Sequence, residues 1–506
     1  MARVAVATTS QLAADAAAAV ADCGGNAVDC GLAAALLSSN TEPGVCALAG
    51  GAFVTIWAPG SDPVTIDGNV AMPGQDRPAA GAPSTRFVKM DYGGGIETMI
   101  GAGSVAVPGT LAAIELAWKQ YGEAKWHDLL APSIDAARNG FPLSAACHHY
   151  LQYSGSAIFG NSDDGFSALH DGDMLRAPQS SIRVPHLADS LAAIANEGAD
   201  IFYNGELGAR IAQHVGERDG LLTRKDLENY RAIDRKPLTT SVRDWLIASN
   251  PPPAVGGAIL VAMLQAFGSE SINSWDRESL RRLVRVQRAV LSYRRDQLDL
   301  SDDIEHDVAL FLARVRRDPQ LSSWSSASTV HTSAVDDSGL ACAVTASSGY
   351  GSGEMPAGTG LWLNNCVGEL ELNRKGFDAG PPGVRLPSNM APSIARNRDS
   401  VLAMGSPGAD RITTALHQFL INFIQHDLNL DRAIAHPRLH LDVLQDVCRI
   451  AAEPGLDVDD DEHPVLRYPT LSMYFGGVAA ALYRASGEFQ VAADPRREGG
   501  TCVAGR

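Results

Sequence analysis

The chain has 506 residues, 45% of them hydrophobic, and a formal charge of −17 at neutral pH. That length and apolar content can fill one large core or two fused ones, and one compact body is expected. The negative balance argues against a phosphate backbone or an anionic membrane surface as partner, because both call for a basic face, and leaves small molecules or peptides.

The eight cysteines (Cys23, Cys30, Cys46, Cys147, Cys342, Cys366, Cys448, Cys502) include no Cys-x-x-Cys pair. Neither a zinc ribbon nor a dense disulfide framework is expected, and most are read as buried thiols. The alanine-rich start is interrupted by Asp15, which makes a poor secretory core, and no run approaches the ~18 apolar residues that span a bilayer. The chain therefore reads as soluble and cytoplasmic, with no membrane or nucleic-acid partner.

From Ser10 to Ser39 small apolar residues dominate, broken by Gly24-Gly25-Asn26, which predicts two alanine-rich helices joined by a glycine turn. Residues 50–57 and 64–67 read as a hairpin around the turn at 59–63. Residues 73–100, rich in Gly, Pro and charge, read as a long surface loop, after which Pro108-Gly109-Thr110 opens a helix reaching Tyr121. The stretch 124–235 is mainly helical by pattern. Residues 241–249 and 329–346 return to period-two alternation, with Asp336-Asp337-Ser338-Gly339 as a turn inside the latter, so the second half is the sheet-rich one.

The serine-rich segment 322–328 runs straight into the strand that begins at Thr329. A break between Ser328 and Thr329 would give Thr329 a hydroxyl and a free α-amine, a nucleophile that carries its own base. An ordinary β-forming threonine is the alternative on this residue alone. Along Thr329-Val330-His331-Thr332-Ser333, alternation puts His331 and Ser333 on the same face as Thr329, and a polar face on a central strand needs an explanation.

Further on, Gly405-Ser406-Pro407-Gly408-Ala409-Asp410 is a tight turn between a short apolar strand and a helical stretch from about Thr413. Successive N–H groups at such a turn can hold an oxyanion, although an ordinary strand-to-helix turn has the same pattern. Its spacing is not that of a Gly-x-Ser-x-Gly elbow. Gly349-Tyr350-Gly351-Ser352-Gly353 lacks the Lys-Ser/Thr ending of a phosphate loop and reads as a flexible loop. His148-His149 and His436 with His440 have no ligating carboxylate or cysteine at a suitable offset, so no metal is assigned and no cofactor is expected.

Taken in order, Gly24 to Asp29, Gly50 to Phe53, Val107 to Thr110, Thr223 with Asp226 and Tyr230, Pro251 to Gly257, Thr329 to Ser333, Asn364-Asn365, Pro387 to Pro392, Gly405 to Gly408 and Ala435 to His440 resemble the signature segments of γ-glutamyltransferases. The likeness spans nearly the whole chain. It implies an α+β fold, the four-layer αββα sandwich of N-terminal-nucleophile hydrolases, made as a precursor that cuts itself into intertwined large (1–328) and small (329–506) subunits. The resemblance also implies that Thr329 forms an acyl-enzyme with a small-molecule γ-glutamyl or acyl-amide donor and passes the acyl group to water or an amine.

By the same resemblance, Gly408 and Ala409 supply the oxyanion N–H groups, and Ser347 stands for a second threonine beside the nucleophile. Ser348 is the nearest candidate for a substrate-binding asparagine. Ser388 and Asn389 occupy a serine pair that binds the donor's α-carboxylate, and Glu369 replaces the aspartate that meets its α-ammonium. Asn69 stands where the family has an arginine clamping that carboxylate, so ordinary glutathione is expected to be a weakened donor. An amidase or cephalosporin-acylase-like enzyme using the same Thr329 is the alternative within hydrolases. An unprocessed, inactive homologue acting as a binding protein is the alternative outside them.

Overall fold

The structure is a computed structural model that describes residues 2–505 apart from 78–81, 92–94, 273, 318–328, 444–447 and 460–461. Ser328 and the serine-rich segment before it thus lie outside the described residues. Ser10 caps the helix Gln11–Asp22 through its hydroxyl, and Asn26 with Asp29 forms a capping box on the helix Ala27–Thr41. The second helix is buried on every side, which its small residues permit. Both lie on a seven-stranded sheet and form part of the outer layer of helices on that side.

That first sheet runs, edge to edge, Ile233–Arg235, Val64–Gly68, Gly51–Trp57, Ala341–Ser347, Val330–Asp336, Val4–Thr8 and Gly500–Ala504, with every pair antiparallel. The strand Val4–Thr8 therefore lies between two strands from beyond residue 329. A second antiparallel sheet has the order Leu238–Val242, Trp245–Ser249, Ser393–Arg396, Ser400–Gly405, Ala479–Arg484 and Phe489–Ala493. Ala5, Val335, Ala343, Ile394, Ala403 and Ala481 fill the space between the two sheets. The helices Gly256–Phe267 and Arg411–Leu420 cover the outer face of the second sheet, completing the expected four layers.

Two readings of the sequence need correction. Residues 73–100 are not wholly loop, because Arg86–Met90 and Ile96–Ile100 pair as an antiparallel hairpin that buries Val88, Met90, Ile96 and Ile100. The flanking Gly and Pro outweigh two five-residue strands in any sequence window. Four of the eight thiols are buried, whereas Cys23 is exposed and Cys366, Cys448 and Cys502 are half-buried; all eight are free. Among the described residues no helix is long and apolar enough to cross a membrane.

Candidate active site at the head of a central strand

Thr329 immediately precedes the strand Val330–Asp336 and is buried. Val330 faces Ala346 across the ladder, so one further step of the register brings Thr329 opposite Ser347, which in turn faces Gly51. The polar face of this strand has a structural explanation. His331 Nδ1 lies 2.8 Å from Thr345 Oγ1, its Nε2 lies 2.8 Å from Ser333 Oγ, and Ser333 donates onward to the carbonyl of Ala479 in the second sheet at 3.1 Å. That direction makes Nε2 the protonated nitrogen and leaves Nδ1 to accept from Thr345. Burial pulls His331 down to about 3, so the ring is neutral. With both nitrogens committed, His331 braces the two sheets and is not a base for Thr329.

The brace also locates the glycine turn. A Cβ on Gly405 would stand 2.2 Å from His331 Cε1, so the end of the strand Ser400–Gly405 must be glycine to pass the ring. Beyond it, Ser406 Oγ donates to the Pro407 carbonyl at 2.6 Å and accepts from Gly477 N at 3.0 Å, which fixes the turn. Gly408 has φ +121° and Ala409 φ +69°. Their carbonyls accept from Arg411 N and Ile412 N at 3.0 and 3.1 Å, while neither of their own N–H groups donates to another described group. Two adjacent free N–H donors at a helix start make an anion site.

Ala409 holds a left-handed conformation at a cost of about 1 kcal/mol or somewhat more. Ala409→Gly keeps the N–H and is expected to raise stability by no more than about 0.5 kcal/mol, because the extra chain entropy of glycine offsets most of the strain relieved. Calorimetry on the purified protein checks this, and a lowered melting temperature would contradict it.

Opposite the turn, the Ser388 carbonyl accepts from Val255 N at 2.8 Å and Gly256 N at 3.2 Å, which moors the segment 387–392 to the start of the helix Gly256–Phe267. Ser388 Oγ accepts from Met390 N at 3.2 Å, and Asn389 Nδ2 donates to Asp410 Oδ1 at 2.6 Å. Asp410 is pushed up to about 6 by burial, against the pull of Arg294 and Arg411. Glu369 is buried and its carboxyl is held well above the ordinary range by burial, with Glu371 and Asp410 adding to the effect. Its Oε1 has no hydrogen-bond partner among the described residues.

A family model described as gamma-glutamyltranspeptidase matches residues 13–504. The chain belongs to the γ-glutamyltranspeptidase family. The glutathione hydrolase proenzyme of Escherichia coli is 27% identical to it over 94% of this chain and 87% of its own length. An Acylase ACY 1 proenzyme from a Pseudomonas species is also 27% identical, over 98% of this chain and 92% of its own. Among solved structures, the cephalosporin acylase of Bacillus halodurans superposes with a TM-score of 0.81 at 22% identity, covering 99% of this chain and 95% of that one, which shows the shared fold. The expected N-terminal-nucleophile architecture is borne out, and the chain is an enzyme of hydrolytic and acyl-transfer chemistry.

Within this γ-glutamyltranspeptidase-family enzyme the site residues named from sequence fall into three sets, with Asn69 apart from them. Thr329 and Ser347 sit at the ends of adjacent strands, and Gly408, Ala409, Ser388 and Asn389 come together around Asp410. The Ser348 carbonyl accepts from Asn365 N at 3.2 Å, and Glu369 Oε2 would lie 3.0 Å from a Cβ on Gly349, so the 347–349 turn and the 364–369 loop pack together. Asn364 and Asn365 clasp that loop: the Asn364 amide donates to the Ala49 and Ala106 carbonyls, and that of Asn365 to the Thr98 hydroxyl oxygen and the Met99 carbonyl.

Asn69 is spent on the scaffold. Its amide nitrogen donates to the Leu386 carbonyl at 2.7 Å, and its own carbonyl accepts from the Tyr230 hydroxyl. It tethers the segment leading to Ser388 and does not replace a guanidinium. The sequence reading placed Asp410 in the glycine turn without giving it a role, and it missed Arg294. The signal for Arg294 was a buried stripe of Leu280, Leu283, Val284, Gln287, Val290 and Leu291 at helical spacing, which continues onto that arginine.

Proposed function

We propose that Thr329, freed by scission of the Ser328–Thr329 bond, is the nucleophile of a γ-glutamyl hydrolase and acyltransferase. Its α-amine takes the hydroxyl proton as Oγ attacks the γ-carbonyl of the donor. The developing oxyanion lies on the N–H groups of Gly408 and Ala409, and the leaving amine departs with the proton. An ester on Thr329 remains, and water or an amine acceptor, activated by the same α-amine, releases the acyl group. The family acts on small-molecule γ-glutamyl donors and is processed into two subunits, in keeping with this reading. The observation that supports it most directly is the pair of free N–H groups on a turn tied, through Gly405 and His331, to the strand that Thr329 heads.

The second reading, an acylase for donors without an amino-acid head, is favoured by Asn69, whose amide is held by Leu386. Rates on γ-glutamyl-p-nitroanilide, glutathione and an acyl-cephalosporin separate the two. The expected result is a clear preference for γ-glutamyl-p-nitroanilide with glutathione weaker, and comparable rates with and without the α-amino-acid head would refute the γ-glutamyl assignment.

A further inference from the structure

Beside the segment that leads to Ser388 lies a cavity of about 200 Å³, walled in part by Ala71, Gln75, Tyr230, Arg231 and Arg385. The Arg385 side chain that lines it is only 9% exposed. Burying a guanidinium demands partners for its charge and for its N–H groups. Arg385 is short of both. Its nearest carboxylate, Asp67, lies 3.5 Å from Nε without a hydrogen bond and is already held by Arg235 Nε at 2.7 Å. One buried aspartate thus serves two arginines, and the other acid near them, Glu305, is exposed and touches Arg235 alone. Arg385 Nη2 donates to the Arg231 carbonyl, while Nη1 has no partner among the described residues. The Tyr230 ring, its centroid 4.1 Å from the guanidinium carbon, offsets part of the charge.

The other polar groups of the wall favour an anion as well. Asp226 is the one acid there among the described residues, and its oxygens are taken by the N–H groups of Gly74, Gln75 and Thr223 and by the Thr223 hydroxyl. Gln75 Oε1 accepts from Asn229, which leaves the Gln75 NH2 to face Gly383 across the cavity mouth, 3.6 Å from where a Cβ would stand. Arg231 spends Nη1 on the carbonyls of Glu228 and Tyr230, and its Nε and Nη2 are unpaired among the described residues. Ala71, Val107 and Ile233 add apolar wall. A chain of net charge −17 therefore keeps a cavity with two arginines, an amide donor and no uncommitted acid. Such donors match a carboxylate.

We propose that this cavity is a second ligand site, which binds a small organic carboxylate through Arg385 Nη1 and Arg231 while Ala71, Val107 and Ile233 pack against its apolar body. A cavity of ~150 Å³ accepts a benzene ring, so the space suits an aromatic acid. The site is distinct from the donor site. Continued to the strand ends, the registers set Thr329, Ser347, Gly51, Asn69 and Arg231 in one row across the first sheet. Four strand spacings of ~4.8 Å put Arg231 roughly 19 Å from Thr329. A γ-glutamyl group is shorter than two extended residues, ~7 Å, and cannot bridge that gap. The inference is therefore independent of the nucleophile reading.

Calorimetric titration of the purified enzyme with benzoate tests it, with benzamide as the uncharged probe of the same shape. One benzoate per chain is expected, bound at least about tenfold more tightly than benzamide. Arg231→Gln, at an exposed position, is expected to weaken benzoate at least about tenfold and to leave the melting temperature within about 2 °C. Equal affinity for the two probes, or unchanged benzoate affinity in Arg231→Gln, overturns the proposal. Crystals of the unaltered enzyme soaked with 4-bromobenzoate locate the ligand directly. The anomalous signal of bromine is expected beside Ile233, and a signal confined to the neighbourhood of Thr329 also overturns the site.

Discussion

Thr329→Ala leaves the chain as one full-length band on a denaturing gel and removes turnover, where the unaltered protein gives two fragments, the smaller beginning Thr-Val-His. The same hydroxyl serves both events. In the proposed maturation it attacks the Ser328 carbonyl, the acyl group moves from nitrogen to oxygen and frees the α-amine, and water cleaves the resulting ester to release the Ser328 carboxylate and restore the Thr329 hydroxyl. In turnover it receives the donor's acyl group. Alanine can do neither, and the residual rate is expected to fall by on the order of 10⁴-fold or more, as when other catalytic nucleophiles are deleted. The loss cannot be assigned to unfolding, because a strand-end Thr-to-Ala change costs only about 1 kcal/mol. Thr329→Ser keeps the hydroxyl and is expected to cut, more slowly. N-terminal sequencing together with the gel decides it, and two fragments from Thr329→Ala would end the proposal.

Gly405→Ala is expected to be a strongly destabilising single-methyl change at the site. The added carbon would lie 2.2 to 2.6 Å from three atoms of the His331 ring. That ring cannot retreat, since Thr345 and Ser333 hold it at either nitrogen within the ladder. Relief requires parting the two sheets or turning the ring and stranding buried polar atoms. Overpacking and lost hydrogen bonds together cost about 3–5 kcal/mol, a large part of the stability of an ordinary domain. Because the turn 406–409 follows directly, cleavage and turnover should fail with stability. Urea unfolding with a parallel measurement of precursor cleavage tests this, and an unchanged urea midpoint would show that the ring is not the rigid brace described.

Local structure was legible where side-chain period and turn chemistry agree. The alternation through residues 329–346, with its turn at 336–339, matches the hairpin Val330–Asp336 and Ala341–Ser347, and the alanine-rich helices end near the Gly24-Gly25-Asn26 break. Strand order was not legible from pattern, because Val4–Thr8 pairs with residues more than 300 positions away and periodicity carries no information on partners; the layers came from the family resemblance. At the site, Thr329, Gly408 and Ala409 were marked by motif. His331 was visible as an anomaly, but its role depends on Ala479 and Gly405, which only the packed sheets supply. Arg294 was one arginine among seven in its helix, and its meeting with Asp410 spans 116 positions of sequence.

The strand Val4–Thr8, held between Val330–Asp336 on one side and Gly500–Ala504 on the other, would set the terms on which the two pieces of the proposed scission coexist. Neither piece owns a complete sheet, so neither is a folding unit. The precursor closes this arrangement as an intramolecular reaction, whereas separated pieces must find each other as a dilute bimolecular encounter without a tether. An enzyme denatured before scission should therefore regain its structure on removal of urea, and one denatured afterwards should not. If the chain is cut as proposed, the mature protein is a product of its own history, stable as long as it is never taken apart.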